Sequence, residues 1–443
     1  MLSRSTATMT IVDKRHAPGG HWNDAYPFVR LHQPSAFYGV ESKELSDGCI
    51  DADGVNEGFL SLAAGPTITE YFHTVMRERL LPSGRVKYFP MSEVTEDGAL
   101  RSLLSGKTED VIVGKKIVDA GYQANSVPRT HVRKFETADG VECVPPNDLP
   151  RIAPRFKNFC VLGAGKTAID TVIWLLAAGC DPDAVTWVRP RDPWLWNRAC
   201  TQPTMEFFIP VFQGFAARQK AAAEATSPED FALRLEAAGV WLRIDPSIEP
   251  TLFHAATVSE REIAELQRIK SVIRMGHVHR IEPGKVILAE GAAEMAPNTL
   301  FIDCTASAVE RKPLKPVFDG GRITIQMVRF PQIAYSASMI AYLETTIDSD
   351  EEKNLMAAPI PLPDTVEDYL KTLHADMMNQ YHVSRNPEVR AWMTQSRLDG
   401  FSHLVAAVDK DDPEKRAIMQ ELKAASFAAA QNLPKLIAAA AAE

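Results

Sequence analysis

Gly163, Gly165 and Ala168 stand at the spacing Gly-x-Gly-x-x-Ala, in the run Gly163-Ala164-Gly165-Lys166-Thr167-Ala168. Placed between a strand and a helix, such a run suits phosphate recognition. The first glycine permits a tight turn, the second lets the backbone approach a pyrophosphate, and the small sixth residue lets helix and strand pack closely. The helix that follows aims unpaired N–H groups at the phosphates. Lys166 and Thr167, inside the run, join Gly163 and Gly165 as candidate contacts. At the end of the unit stand Arg189 and Arg191, where an acid would accept from the ribose 2′-hydroxyl of NAD. Guanidinium groups there suit a 2′-phosphate, so residues 159–191 read as an NADPH site.

The elements that must hold these residues are also legible. Phe159-Cys160-Val161-Leu162 is a continuous apolar run of the kind that fills a buried parallel strand. Ala168, Ile169, Val172, Ile173 and Leu176 recur at helical spacing, and Gly179 supplies a stop. Residues 185–188 read as the next strand. The substring Gly165-Lys166-Thr167 imitates the phosphate loop of NTPases, but that motif needs a glycine where Cys160 stands.

Residues 8–12 read as a strand ending at Asp13, a second candidate ribose acid. A glycine loop normally precedes that acid by about 20 residues. None of the residues before Asp13 is glycine, so the expectation is a chain truncated ahead of Met1. Asp13-Lys14-Arg15, Gly19-Gly20-His21-Trp22 and Tyr26-Pro27 resemble the start of FAD-dependent monooxygenases of the flavin-containing and Baeyer–Villiger type. That resemblance implies that Asp13, Gly19, Gly20 and Trp22 lie beside FAD. Ile117-Val118-Asp119-Ala120 and the run from Leu300 to Ala306 resemble the passages between the FAD and NADP domains, which brings in Asp303. Residues 322–344, with Ser336-Ala337-Ser338 at a helix start, resemble the final return to the flavin and bring in Ser336.

The resemblance spans about residues 8–344 and departs from the family twice. The first glycine fingerprint is missing, and FxGxxxHxxxW is missing because residues 150–158 hold no histidine. It implies an α/β fold with two Rossmann-like dinucleotide-binding domains, the FAD domain interrupted by the NADP domain. The expected division is an FAD domain at 1–150, an NADP domain with a helical insert at 151–299, a return to the FAD domain at 300–345 and a helical C-terminal region at 363–443. The implied function is an FAD- and NADPH-dependent oxidoreductase, a monooxygenase that uses reduced flavin and oxygen on a small organic substrate. The other reading is a nucleotide-binding protein of this fold without turnover. No side chain is named as acid or base; His21 and His32 fall near the flavin by placement and read as structural.

Composition narrows the field. The 443 residues are 45% hydrophobic and 24% charged, as in an ordinary globular protein with room for two or three domains. A formal net charge of −9 argues against nucleic-acid binding. There is no apolar run of about eighteen residues to span a membrane, and the first ten residues are polar, so the cytoplasm is the default. The six cysteines form no CxxC pair and no zinc spacing, which argues against a disulfide reductase. Thr67 and Glu70 read as the capping box of a helix, residues 111–113 as a strand, and residues 144–150 as a linker. Helices are expected beyond Pro363, started by Asp364 or Thr365 and by Asp412-Pro413, packing on the substrate cleft or on a second copy of the chain.

Overall fold

The computed structural model describes residues 1–96, 98–123, 125–307 and 310–441. Strand β1 (Met9–Val12) runs parallel to β2 (Val86–Phe89), with Met9 beside Val86 and Val12 beside Phe89. Between them Gly20–Asp24 and Ser35–Phe37 form short helical turns, followed by helix α1 (Gly65–Val75). α1 starts two residues before the predicted cap. Its N-cap is Ala64, without a side-chain hydrogen bond, and Pro66 occupies the first turn. Proline's fixed φ is already helical, so Pro66 seeds the helix and leaves Thr67 inside it and exposed. Strand β3 (Ile117–Asp119) pairs in parallel with Arg322–Thr324, which pairs antiparallel with Phe318–Asp319. Among the described residues no strand takes the second edge of β1 or of β3. Residues 111–113 form no strand: Ile112 is 96% exposed, and among the described residues no strand pairs with this apolar triplet.

Five parallel strands make the central sheet: β4 (Cys143–Val144), β5 (Asn158–Leu162), β6 (Val185–Val188), β7 (Ser271–Ile273) and β8 (Thr299–Asp303). Their spatial order is β4-β8-β5-β6-β7, so β5 lies at the centre. The predicted linker thus begins with an edge strand of this sheet, and its Leu149 opens a helical turn, Leu149–Ile152. Alternation sorts the side chains of β5 to two covered faces. Phe159 and Val161 join Ala168, Ile169, Val172 and Leu176 of helix α2 (Lys166–Ala177). Cys160 and Leu162 join Val278, Ile281, Val286 and Leu288 of an antiparallel sheet on the other side. Val161, Leu162, Ala168, Ile169 and Val172 are fully buried; burial of each large side chain contributes about 1.5–3 kcal/mol.

A third layer follows. Pro193–Asn197 pairs with Trp241–Leu242 and Leu252–Val258. Helix α3 (Phe208–Glu224) covers it together with Pro228–Ala237. Helix α4 (Ile333–Thr346) belongs to a separate core with Phe318, Ile323 and Trp392. Helix α5 (Val366–Arg385) starts at Thr365, whose side chain accepts from Asp368 N–H, and helix α6 (Pro413–Ala440) starts at Asp412, which accepts from Lys415 N–H. Both predicted start signals hold. α6 lies along α3, and Asn432 Nδ2 donates to the Ala222 and Ala225 carbonyls at the end of α3, at 3.1 and 3.0 Å. Trp194, Trp196, Phe231, Trp241, Phe253 and Tyr369 fill the space between these elements. The architecture is α/β with a helical C-terminal region. Among the described residues, β1 with β2 and β3 with residues 318–324 form separate two- and three-stranded sheets.

Candidate functional site

The turn from β5 into α2 is built on two glycines with different reasons to be glycine. Gly163 has φ +119°, and a Cβ there would stand 2.7 Å from the Cys304 carbonyl oxygen. The fold itself requires it. Its N–H donates to Val188 O at 2.9 Å, and its carbonyl accepts from Trp187 Nε1 at 2.7 Å. Gly165 is the N-cap of α2 with an ordinary φ of −80° and no side-chain cap, and a Cβ there would meet nothing within 4 Å. Packing within the chain gives no reason for this glycine. Among the described residues the N–H groups of Ala164, Gly165, Lys166 and Thr167 find no acceptor. With the positive end of the helix dipole behind them, these donors suit an anion.

Charged side chains flank that turn. Lys166 Nζ contacts Asp170 Oδ1 and lies 3.6 Å from Glu262 Oε1. Asp170 accepts from the buried Tyr26 hydroxyl at 2.6 Å, and Glu262 pairs with fully buried Arg198 at 2.7 Å. Burial works to raise the Glu262 carboxyl, but Lys166 and Arg198 prevail and hold it below the usual range. His32 Nδ1 accepts from Thr257 N–H at 3.1 Å. Burial, reinforced by Lys166 and Arg198, pushes His32 down to about 3, so it is a neutral structural strut. Phe28 stacks on Trp174 of α2, with ring centres 5.1 Å apart. The N-terminal segment is thereby fastened onto the helix of the phosphate turn.

The two arginines after β6 are placed differently. Arg189 is 2% exposed, stacks on Trp187 at 4.7 Å and pairs with Asp192 at 3.2 Å. Burial pushes it down to about 10 against the pull of Asp192. Arg191 is about two-fifths exposed and makes a two-bond pair with Asp364, at 2.8 and 3.1 Å. Asp364 also meets His254 Nε2 at 2.8 Å. The Arg191 hydrogen bonds, seconded by His254, hold the Asp364 carboxyl well below the usual range. A carboxylate from the start of the C-terminal region therefore occupies the arginine that the sequence assigns to a 2′-phosphate.

The residues assigned to the flavin side fall in three places. Asp13 Oδ1 accepts from Arg15 N–H at 2.9 Å and closes the turn after β1. Gly19 and Gly20 both have positive φ, +117° and +55°, and Asn23 Nδ2 ties the loop by donating to the carbonyls of Ala17, Pro18 and Gly20. Trp22 packs on His21 at 5.0 Å, and burial together with Arg15 pushes His21 down to about 4. Asp303 ends β8 beside Cys304, which faces Gly163. It is 2% exposed, accepts from Arg133 Nε and the Thr305 hydroxyl and amide, and meets His131 Nε2 at 3.0 Å. Ser336 lies inside the first turn of α4 rather than at its start, because Gln332 is the N-cap. Its hydroxyl is buried and accepts from Val328 and Arg329 N–H. Gly163, Gly165, Lys166, Thr167, Arg189 and Asp303 thus share one edge of the central sheet, with Arg191 just outside. Ser336 braces another loop.

No protein-family model matches the chain. An uncharacterized protein of Mycobacterium tuberculosis, Rv2000, is 41% identical over 440 residues, covering 99% of this chain and 82% of the relative. Mb2023 of Mycobacterium bovis, also uncharacterized, matches with the same figures. The chain belongs to their family. Among solved structures it is similar to cyclohexanone monooxygenase from Rhodococcus sp. Phi1 bound to NADP+, at 13% identity and TM-score 0.44 over 78% of this chain and 83% of that one. It is also similar to OTEMO in complex with FAD and NADP, at 12% identity and TM-score 0.42 over 95% and 93%.

Sequence reasoning missed several residues around this turn. Asp170 stands four residues after the predicted contact Lys166 on the predicted helix, a spacing from which their pairing could be read. Glu262, Arg198 and His254 carry no local signal, and Tyr26 and Asp364, read from the sequence as part of a resemblance and as a helix start, carry none for these contacts, whose partners lie far along the chain. Among the described residues no group of three or more His, Cys, Asp or Glu could hold a metal, and no helix is long and apolar enough to cross a membrane.

Proposed function

We propose that the chain binds NADPH at the turn between β5 and α2 and is an FAD-dependent oxidoreductase of monooxygenase type acting on a small organic substrate. The observation that carries the nucleotide half is Gly165. Space is left open beside it, and four N–H groups await an acceptor at the N-terminus of a twelve-residue helix. A dinucleotide diphosphate meets both conditions. Thr167 and Lys166 flank the diphosphate, with Lys166 kept at the helix start by Asp170 and Tyr26. Arg191, once released from Asp364, takes the 2′-phosphate, while Arg189 supports the end of β6 from below. Asp303 supports Gly163 through Cys304.

On the flavin side, Asp13, Gly19, Gly20 and Trp22 make a compact turn suited to a ribose and a ring edge. A bound flavin would accept hydride and react with oxygen; this chain's part is to hold, orient and shield the nucleotides. The division at 1–150, 151–299 and 300–345, with helices from 363 to 443, is the domain plan this reading requires. The second reading is nucleotide binding without turnover. The purified protein separates the two. A yellow preparation that consumes NADPH supports the oxidoreductase, and a colourless one that binds NADPH without consuming it supports the second reading.

A further inference from the structure

Asp364 is held by more than Arg191. Its Oδ1 accepts from Arg191 Nη2 at 3.1 Å and lies 2.8 Å from His254 Nε2 and 3.6 Å from Arg311 Nη2. Its Oδ2 accepts from Arg191 Nη1 at 2.8 Å. These three basic groups come from three segments near the glycine turn. Arg191 follows β6, whose Val188 carbonyl takes the Gly163 N–H. Arg311 follows β8, whose Asp303 lies beside Leu162 of β5. His254 stands on the strand Leu252–Val258, which pairs with Pro193–Asn197 just after Arg191. That strand is distorted beside His254. Ala255 has φ +55°, and the register shifts there, with Trp194 beside Phe253 but Trp196 beside Thr257. A bulge re-aims the side chains next to it, and backbone strain of this kind gathers at ligand sites.

Two other carboxylates also collect several basic side chains, and both are shut in. Glu344, with Lys115, Lys116 and Lys353, is 4% exposed, and Asp303, with His131 and Arg133, is 3% exposed. At Asp364 the ring is open. Arg191, His254 and Arg311 are 39%, 48% and 51% exposed, so an anion reaches them from solvent without entering the core. The Asp364 carboxylate marks where an oxygen of that anion sits. A phosphate monoester brings about twice the charge of a carboxylate and a further oxygen, which suits a guanidinium pair better. A second carboxylate, Asp368 in the first turn of α5, lies 3.8 Å from Arg311 Nη1 and is answered by Lys371 at 3.4 Å.

We infer that Arg191, Arg311 and His254 form one pocket for the phosphate monoester of a nucleotide, filled by Asp364 as an internal stand-in. This deepens the NADPH reading and rests on it for the nucleotide's identity: the monoester is the 2′-phosphate. Arg311 and His254 then determine specificity from outside the β5–α2–β6 unit. The phosphate displaces the Asp364 side chain alone, because Phe253 N–H holds the Asp364 carbonyl at 2.7 Å.

Arg311 and His254 hold the competitor as well as the phosphate, so the test uses the full chain carrying Asp364→Asn. It is titrated by calorimetry with NADPH, NADH, 2′-AMP and inorganic phosphate. NADPH and 2′-AMP are expected to bind, and adding Arg311→Met or His254→Ala lowers both affinities about three- to ten-fold while that for NADH stays the same. Arg311→Lys keeps part of the effect. Arg234→Met, an arginine 39% exposed and paired with Glu224, changes none of them. Either of the two pocket substitutions decides the matter if the other fails to fold. NADPH affinity that neither moves, or that falls together with NADH affinity, overturns the pocket and leaves the NADPH reading standing. Inorganic phosphate binding as tightly as 2′-AMP overturns the assignment to a nucleotide. Binding of 2′-AMP that depends on Arg311 and His254, in a chain that does not bind NADPH, supports the pocket and removes the NADPH reading. Binding of none of the four overturns both.

Discussion

Asp364→Asn should tighten NADPH binding. Asp364 holds Arg191 through two hydrogen bonds, so a 2′-phosphate reaches that guanidinium only by displacing the carboxylate. Hydrogen bonds to charged groups contribute about 1.5–3 kcal/mol, and exposed ion pairs about 0–1 kcal/mol. This pair is two-bonded, with Arg191 39% and Asp364 26% exposed, which places it between those cases at about 1–2 kcal/mol. Asparagine keeps the shape and removes the charge. The backbone carbonyl of Asp364, which accepts from Phe253 N–H at 2.7 Å, is unaffected. Affinity for NADPH should therefore rise about 5–30-fold, and affinity for NADH, which has no 2′-phosphate, should stay the same. Calorimetric titration of both nucleotides at low and high salt reads this directly, with the gain shrinking as salt rises. An unchanged NADPH affinity, or an equal gain for NADH, would refute the view that Asp364 occupies the 2′-phosphate site.

Three further outcomes follow from the same structure. Gly163→Ala should destabilise the fold by about 1–3 kcal/mol or more, from its positive φ and the collision with the Cys304 carbonyl, seen as a lower urea midpoint. Tyr26→Phe removes the donor to Asp170 and should cost about 1–3 kcal/mol, because the ionised carboxylate loses a buried partner; a variant as stable as the native chain would sink that assignment. Stability should fall on acidification below pH of about 6.5, the ordinary histidine value. The folded chain holds His32 at about 3 and His21 at about 4, so the unfolded chain binds these protons first. Stability is complete above the unfolded value and is lost towards the folded ones, by up to about 1.4 kcal/mol per pH unit for each histidine. Replacing His32 with Asn, which can still accept from Thr257, should flatten that slope in urea titrations by about one proton.

What was legible in the sequence was local. Strand β5, the two glycines, α2 and β6 are contiguous, and each part repeats at its own period, so a short window contains the whole signal. Thr365 and Asp412 were legible for the same reason, because a cap and its first turn are adjacent. Errors arose where a local pattern lacked its tertiary partner or had a local competitor. The apolar triplet at residues 111–113 has strand composition but no ladder, and Pro66 starts α1 ahead of Thr67. Arg189 and Arg191 looked alike from two positions apart, yet Trp187 and Asp192 bury one while Asp364, 173 residues away, engages the other. Tyr26 and Asp170 are separated by 144 residues, and no spacing rule joins them.

The central claim rests on Gly165, the one glycine of the turn that the fold does not require. Calorimetric titration of NADPH into the native chain and into Gly165→Val tests it most directly. The native chain should bind saturably, and the variant should lose about ten-fold or more in affinity while losing no more stability than a weaker N-cap costs, about 1 kcal/mol, because a Cβ there meets nothing within 4 Å. Equal affinity of the two proteins, or a folded native chain that does not bind NADPH, would contradict it.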